Sequence, residues 1–366
     1  MRMIISSRPY PNYQALFTKG DDKLPEFEFY TLGRQALLSA LIAMGLQKGD
    51  SVIIPAYMCS STINPLKAYG FEIVFIDVDQ QLGLPLDRVK HLISDTQVKA
   101  LLVVHYFGFI QSLDEVVDIC HQQGVKVISD VSHSFLSQFS VRTPVERADA
   151  YIFSMRKSLP VQDGGALRLN TQDTIISADK PCISLTDDVK NIVFRLIEKV
   201  LTTLRLNIYV NTITRLKNNL RLSSTSDKVN IVVNPCSPSW SLKKYLRNEL
   251  YLQKTRQIIT QNFTRLCDAL SAMGFRLAFD DINYNVPQAC VIYDDQGGLV
   301  EHLRAQGIGA WCWPAEEMPE AVASQADKYP NANYYNKTLV LLPIHQSVSN
   351  HQIDYMIQVL SKWQKR

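Results

Sequence analysis

Lys157 follows the apolar run Phe153, Ser154 and Met155, where a buried strand should end, and Gly164-Gly165 comes seven residues after it. A lysine is rarely buried without a partner. Asp130 closes another apolar run, VKVISD, 27 residues upstream of the lysine, and Ser154 stands at a Ser-x-x-Lys spacing. An amine, a carboxylate and a hydroxyl at neighbouring strand ends can attack a carbonyl, hold a proton and bind an anion. Taken singly, each has a plain reading. Asp130 could cap a helix, Lys157 could be a solvated loop lysine, and the double glycine could be a turn. Their joint spacing points to chemistry.

The elements that must position these residues alternate along the chain. Apolar, β-rich runs (SVIIP, EIVFIDV, KALLVVHYFG, VKVISD, DAYIFSM, GALRLN) are separated by helical segments such as SSTINPLKAYG and SLDEVVDICHQQG. Runs so uniformly apolar, joined by helices, predict βαβ crossovers and a mostly parallel sheet covered on both faces. A helix, GRQALLSALIAMGL, precedes them and opens at Gly33. In open α/β sheets ligands sit at the carboxyl ends of strands. Tyr57, Cys59, His105, Tyr106, Asp130, His133, Ser154 and Lys157 all fall there.

Pyridoxal phosphate chemistry needs this set. Lys157 would hold the aldehyde as a Schiff base and later shuttle a proton. Desolvation would lower its pKa and make it a nucleophile. Asp130 would keep the pyridine nitrogen protonated so that the ring draws electrons. Ser154 and the first amides of the Gly33 helix would hold the phosphate, with Arg34 on that first turn adding a guanidinium. Gly164 and Gly165 would let the backbone pass close to the lysine.

From GRQALLSALIAMGLQKGDSVIIPAYMCSSTINPLKAYGFEIVFIDVD through LLVVHYFG, VISDVSHSF and KSLPVQDGGAL to LVLLPIHQSVSNHQIDYMIQVL, the chain resembles the DegT/DnrJ/StrS sugar aminotransferases. The resemblance implies the fold of fold-type I pyridoxal phosphate enzymes, with a mostly parallel sheet sandwiched by helices and a smaller C-terminal α+β domain. It also implies a homodimer with the active site at the subunit interface. The implied reaction is amino transfer from glutamate to a keto sugar on a nucleotide, serving cell-surface polysaccharide or secondary-metabolite synthesis. Lys157 then takes the Schiff-base position, Asp130 the pyridine partner's, and His133 a place near the ring hydroxyl. Three departures fall on the phosphate cup and substrate loops. Ser154 is two residues closer to the lysine than the family usually has it. Cys59 stands where many members stack an aromatic, so that Cys59, Tyr57 or Tyr106 must face the ring. In the loop that reaches across the dimer, NPCSPSWS keeps only Asn234.

Two other readings compete. Sugar dehydration, also pyridoxal chemistry, belongs to a branch that replaces the lysine with histidine, which Lys157 argues against. A non-catalytic binding or regulatory module would not need both Asp130 and Lys157.

Composition bounds the rest. The 366 residues are 46% hydrophobic and 20% charged, long enough for a large domain, expected over 1–240, and a smaller one over 241–366. A net charge of +3, from 38 basic and 35 acidic residues, gives no reason to expect a nucleic-acid partner. Seven cysteines, with no C-x-x-C pair, read as reduced thiols of a cytoplasmic protein rather than a disulfide framework or zinc site. MRMIISSRPYPNY is too short in apolar run for a signal peptide, and no apolar stretch approaches the roughly 20 residues of a membrane span. From Asp187 to Leu222 helical periodicity predicts an excursion carrying seven basic residues, with a solvated basic face or else a surface for an anionic partner or membrane. A single long helix is expected over 242–273.

Overall fold

A computed structural model describes residues 3–95, 97–138, 147–170, 178–204, 233–283 and 285–364. The first part of the chain runs α1 (Tyr13–Phe17), β1 (Glu28–Tyr30), α2 (Gly33–Ala43), β2 (Ser51–Pro55), α3 (Ser60–Tyr69), β3 (Glu72–Ile76), α4 (Leu86–Asp95) and β4 (Val98–Val104). Then come α5 (Asp114–Gln122), β5 (Lys126–Asp130), α6 (Phe135–Gln138), β6 (Ala150–Ser154), β7 (Gly165–Leu169) and α7 (Leu185–Thr203). The remainder holds α8 (Trp240–Leu246), α9 (Glu249–Ala272), β8 (Ala289–Tyr293), α10 (Leu299–Ala305), α11 (Glu320–Ala323), α12 (Pro330–Thr338), β9 (Leu339–Pro343) and α13 (Asn350–Trp363).

Seven strands form one sheet in the order β1-β7-β6-β5-β4-β2-β3. The strands β6, β5, β4, β2 and β3 pair in parallel, whereas β7 is antiparallel to both β6 and β1. Strand β6 is buried at every position and β5 at four of five, so both faces are covered and alternation disappears from the sequence. The parallel register makes β2, β4, β5 and β6 end on the same side. That edge receives the chemistry. A separate two-stranded antiparallel sheet, β8 with β9, packs with α9.

Two expectations are corrected. The seven cysteines are not all reduced thiols: Cys182 and Cys236, 54 residues apart, form a disulfide, and five remain free. Spacing alone hid the pair, because tertiary folding brings the start of the α7 segment beside the strand-like loop before α8, where Pro181 and Ser237 form a bridge. The helix expected over 242–273 is two helices. Asn248 adopts a non-helical conformation and caps α9, accepting from Tyr251 N at 2.9 Å, while Arg247 O is drawn off by Asp21 N at 2.7 Å.

The basic excursion is helical where it is described. Along α7 the exposed residues include the apolar Leu185, Val189, Val193, Ile197 and Val200, with Leu204 just beyond its end, beside exposed Lys190 and Lys199. The inner face mixes apolar and polar groups: Ile192 and Leu196 pack on the core, Asp188 accepts from Ser241 N (2.8 Å) and Ser241 Oγ (2.7 Å), and Thr202 meets the Tyr10 hydroxyl at 3.4 Å. Lys190 pairs with Asp187 and Arg195 with Glu198. Arg205, Arg215, Lys217 and Arg221 lie outside the described residues.

Buried titratable groups set a pH dependence. Burial pushes His105 and His345 from an ordinary 6.5 down to about 4, so both stay neutral in the fold while the unfolded chain gains protons. Their contribution is complete above about 6.5 and is lost as the pH falls toward 4. Asp163 opposes them: burial raises it to about 6, so between about 6 and 4 it is protonated only in the fold and adds stability as the pH falls. Burial also lowers His133 and raises Asp77 and Asp188, and the histidines outweigh the aspartates because their ordinary value of 6.5 falls inside the interval from pH 7 to pH 5. Thermal midpoints are expected to drop between pH 7 and pH 5, and a midpoint that rises over that interval refutes the assignment.

Candidate active site

The lysine turn comes directly after β6. Residues Met155–Lys157 make a single tight helical turn, closed by Ser158 N and Leu159 N donating to Met155 O at 3.0 and 2.8 Å. The double glycine holds this turn in place. Gly164 sits at φ +108 and its carbonyl accepts from Met155 N at 2.8 Å; a Cβ there would come within 2.8 Å of the Met155 Cβ. At Gly165 a Cβ would lie 2.2 Å from the Leu32 carbonyl carbon and 2.7 Å from Gly33 N. Only glycine lets β7 pass so close to the start of α2. Asp163, fully buried, anchors the same loop to α8 by accepting from Ser239 N and Ser239 Oγ, both at 2.7 Å.

Gly33, Arg34, Cys59, Asp130, His133, Ser154 and Lys157 line one cavity at the carboxyl ends of the parallel strands. Ser132, Arg156 and Trp313 join them. Asp130 is 8% exposed, and Oδ1 accepts from Ser132 N at 2.9 Å. Among the described residues no hydrogen bond holds Lys157 Nζ, which lies 6.0 Å from the Trp313 ring centroid. Burial lowers the Lys157 pKa, against the opposing pull of Asp130 and Cys59, which favours a neutral, nucleophilic amine.

His133 is a neutral imidazole. Its pKa is held well below the ordinary value by burial and by the nearby lysine. Nδ1 accepts from Phe107 N at 3.3 Å, so the ring proton sits on Nε2, and the imidazole stacks on Phe107 with centroids 5.6 Å apart.

Tyr57 and Tyr106 do not line the cavity. Both are fully buried behind it: Tyr57 donates its hydroxyl to the Trp313 carbonyl and Tyr106 donates to the Tyr57 carbonyl at 2.8 Å. Trp313, with centroids 4.9 Å from His133 and 5.1 Å from Tyr57, is the aromatic ring at the cavity. The sequence reading missed it because it lies 156 residues beyond the lysine, in WCWP, with no local signal of where that loop returns. His105 serves the core instead, meeting Ser129 Oγ at 2.8 Å and accepting from Gln111 N at 2.9 Å.

One end of the cavity suits a phosphate. A Cβ on Gly33 would stand 3.2 Å from Phe153 O, 3.3 Å from Ser154 Cβ and 3.4 Å from Ser132 Oγ, so the glycine keeps that cradle open. The first helical bonds of α2 come from Gln35 N and Ala36 N to Leu32 O, which leaves the Gly33 and Arg34 amides ahead of the ladder. Arg156, beside the lysine, brings a second guanidinium. Burial and the neighbouring Arg8 and Arg34 lower its pKa to about 10. Crowded cations of this kind are relieved by a bound anion.

Residues 30–182 match the family described as the DegT/DnrJ/EryC1/StrS aminotransferase family. Protein MosB of Rhizobium meliloti is 32% identical over 135 residues, 36% of this chain and 27% of that protein. GDP-perosamine synthase of Escherichia coli O157:H7 is 26% identical over 141 residues, 38% of each. These matches span well under half the length of either relative. Across nearly the whole chain the fold is that of a DegT/DnrJ/EryC1/StrS aminotransferase from Brucella abortus (TM-score 0.68, 17% identity, covering 94% of this chain and 87% of that one). It is also that of the putative sugar aminotransferase Spr1654 from Streptococcus pneumoniae (TM-score 0.69, 13% identity, 99% of each). The residues that match this family model supply all of the cavity's lining except Trp313, and the chain shares the fold of the two solved structures.

Proposed function

We propose that this chain is a pyridoxal-phosphate-dependent aminotransferase that moves an amino group from glutamate to a keto sugar carried on a nucleotide, or to a related carbonyl compound. The observation that carries the reading is the convergence of Lys157, Asp130 and the open start of α2 on one cavity. Support comes from the relatives' names, GDP-perosamine synthase and UDP-4-amino-4-deoxy-L-arabinose–oxoglutarate aminotransferase, and from Spr1654 in its PLP and PMP forms.

The cofactor supplies an aldehyde and an electron-withdrawing ring. The chain's residues do the remainder. Lys157 Nζ would be the amine that holds the cofactor's aldehyde and, when free, the group that would carry a proton to and from the substrate carbon. Asp130 would hold the proton of the ring nitrogen, and His133 Nε2 would be the donor available to the ring oxygen. The α2 amides, Ser154, Arg34 and Arg156 would bind the phosphate, and Trp313 would exclude water beside the lysine. A visible spectrum of the cofactor-loaded protein tests the reading: glutamate should bleach the long-wavelength band and a keto acceptor restore it. A band unmoved by glutamate overturns amino transfer.

Arg34 gives a separate test. Arg34→Ala should weaken pyridoxal phosphate binding by about 1.5 to 3 kcal/mol, the range for a charged hydrogen bond, while pyridoxal without the phosphate binds both proteins alike. Equal losses for the two forms, read by fluorescence titration, would place Arg34 in folding or substrate binding.

The proposal includes two domains meeting near residue 240 and a homodimer, for which sedimentation is the measurement. Contact of the 187–222 segment with an anionic surface is carried only by its sequence charge, and salt-sensitive vesicle co-sedimentation tests it. A cytoplasmic placement goes with the family reading; the Cys182–Cys236 bridge favours an oxidising compartment instead. Alkylation of thiols in fresh cell extract, before and after reduction, separates the two.

A further inference from the structure

Trp313 reaches the lysine cavity from the loop between α10 and α11, and the two tyrosines expected to face that cavity stand behind it. Their hydroxyls form a series. Tyr106, 1% exposed, donates to Tyr57 O at 2.8 Å, and the fully buried Tyr57 donates to Trp313 O across 256 residues of sequence. The loop is tied on each side of this bond: Trp311 pairs with Leu341 of β9, and Ala315 O accepts from Asn336 Nδ2 at 3.3 Å. Between these ties the Tyr57 hydroxyl fixes the peptide that carries the indole.

The ring itself is wedged edge-on. Its centroid lies 5.1 Å from that of Tyr57 and 4.9 Å from that of His133, with interplanar angles of 89° and 81°, a favoured aromatic geometry. Lys157 Nζ lies over the ring, 6.0 Å from the centroid. An indole held there takes the space that water would need beside the amine. The two phenols are otherwise set among aromatic rings, where phenylalanine would fill the same volume without the cost of burying a hydroxyl. What each hydroxyl adds is its hydrogen bond.

We propose that Tyr57 and Tyr106 are positioning residues, whose hydroxyls hold Trp313 over Lys157 and thereby keep water from the amine that reacts. The inference rests on the reading of Lys157 as that amine. Burial lowers the lysine's pKa, and water admitted beside it lets the charged form return. The other groups facing the amine are Asp130 at the end of β5, His133 in the loop after it, Cys59 ahead of α3, Arg156 on the lysine's own turn and Glu317 in the turn after Trp313. Removing a tyrosine hydroxyl changes none of their charges.

The test follows the addition of pyridoxal phosphate to the cofactor-free full chain by absorbance, over a pH range that spans the amine's titration. Borohydride reduction and peptide mapping identify the lysine that reacts. Ionisations of the reagent are common to every variant. In Tyr57→Phe the midpoint of the rate profile should move up, leaving addition about three- to tenfold slower at neutral pH and equal to the parent's on the alkaline plateau. Tyr106→Phe, one bond further from the indole, should move it the same way by less, and decides the question where Tyr57→Phe does not fold. Trp313→Ala should raise the midpoint at least as far, and adding Tyr57→Phe to it should move nothing further. Tyr245→Phe loses an equally buried hydroxyl, the acceptor for Asn12 N at 3.0 Å, outside the cavity lining, and should match the parent. The inference is overturned by an unmoved midpoint, including one with a lowered plateau, which is the mark of a merely structural role. A further shift in the double variant, or an equal shift in Tyr245→Phe, overturns it as well. A parent labelled on another lysine overturns the amine reading and this inference with it.

Discussion

Lys157→Ala is expected to abolish amino transfer, with a loss on the order of ten-thousand-fold, the upper end for removing a group that moves the reacting proton. The same change should remove the long-wavelength absorbance of the cofactor-loaded protein. Two features make this lysine the one to test. Its amine, lowered by burial, has no hydrogen-bond partner among the described residues, so no internal bond must break before it reacts. The turn that carries it is clamped by Gly164 on Met155 and by Asp163 on Ser239, so deleting the side chain leaves those backbone anchors in place. The variant should therefore melt close to the parent. Borohydride reduction of the loaded protein and peptide mapping read the attachment point directly, and label on any other lysine sinks the assignment.

Asp130→Asn should slow the glutamate half-reaction by about a hundred- to ten-thousand-fold while cofactor binding persists. The amide keeps the shape of the carboxylate and can still accept from Ser132 N, so the end of β5 should hold its geometry. It cannot keep a ring nitrogen protonated. The electron-withdrawing strength of the cofactor falls, and proton removal from the substrate carbon slows with it. Stopped-flow absorbance with glutamate isolates this step. A rate equal to the parent's would assign the nitrogen's partner elsewhere.

The strand ends were legible because a doubly covered parallel sheet leaves a simple trace. VKVISD and DAYIFSM read as apolar runs that stop at polar residues, and those residues line the cavity. The Gly33 helix and the Gly164-Gly165 pair were legible for a related reason: a close backbone approach demands glycine, and the contacts at Gly165 show how little space there is. The break at Asn248 was hidden because the apolar periodicity continues across it, and the capping bond decides there.

Local sequence determined the parallel sheet, the lysine turn and the residues gathered at its strand ends, since each depends on near neighbours in the chain and on burial that periodicity reports. Tertiary structure alone decided which aromatic faces the lysine. Tyr57 and Tyr106 turn their hydroxyls to backbone carbonyls in the core, and Trp313 comes in from a loop more than 150 residues away. It decided too that Cys182 meets Cys236 and that α7 turns Asp188 inward and its valines outward. These outcomes depend on contacts between segments far apart in sequence, whose geometry is set only when the whole chain packs and each buried polar atom finds or lacks a partner.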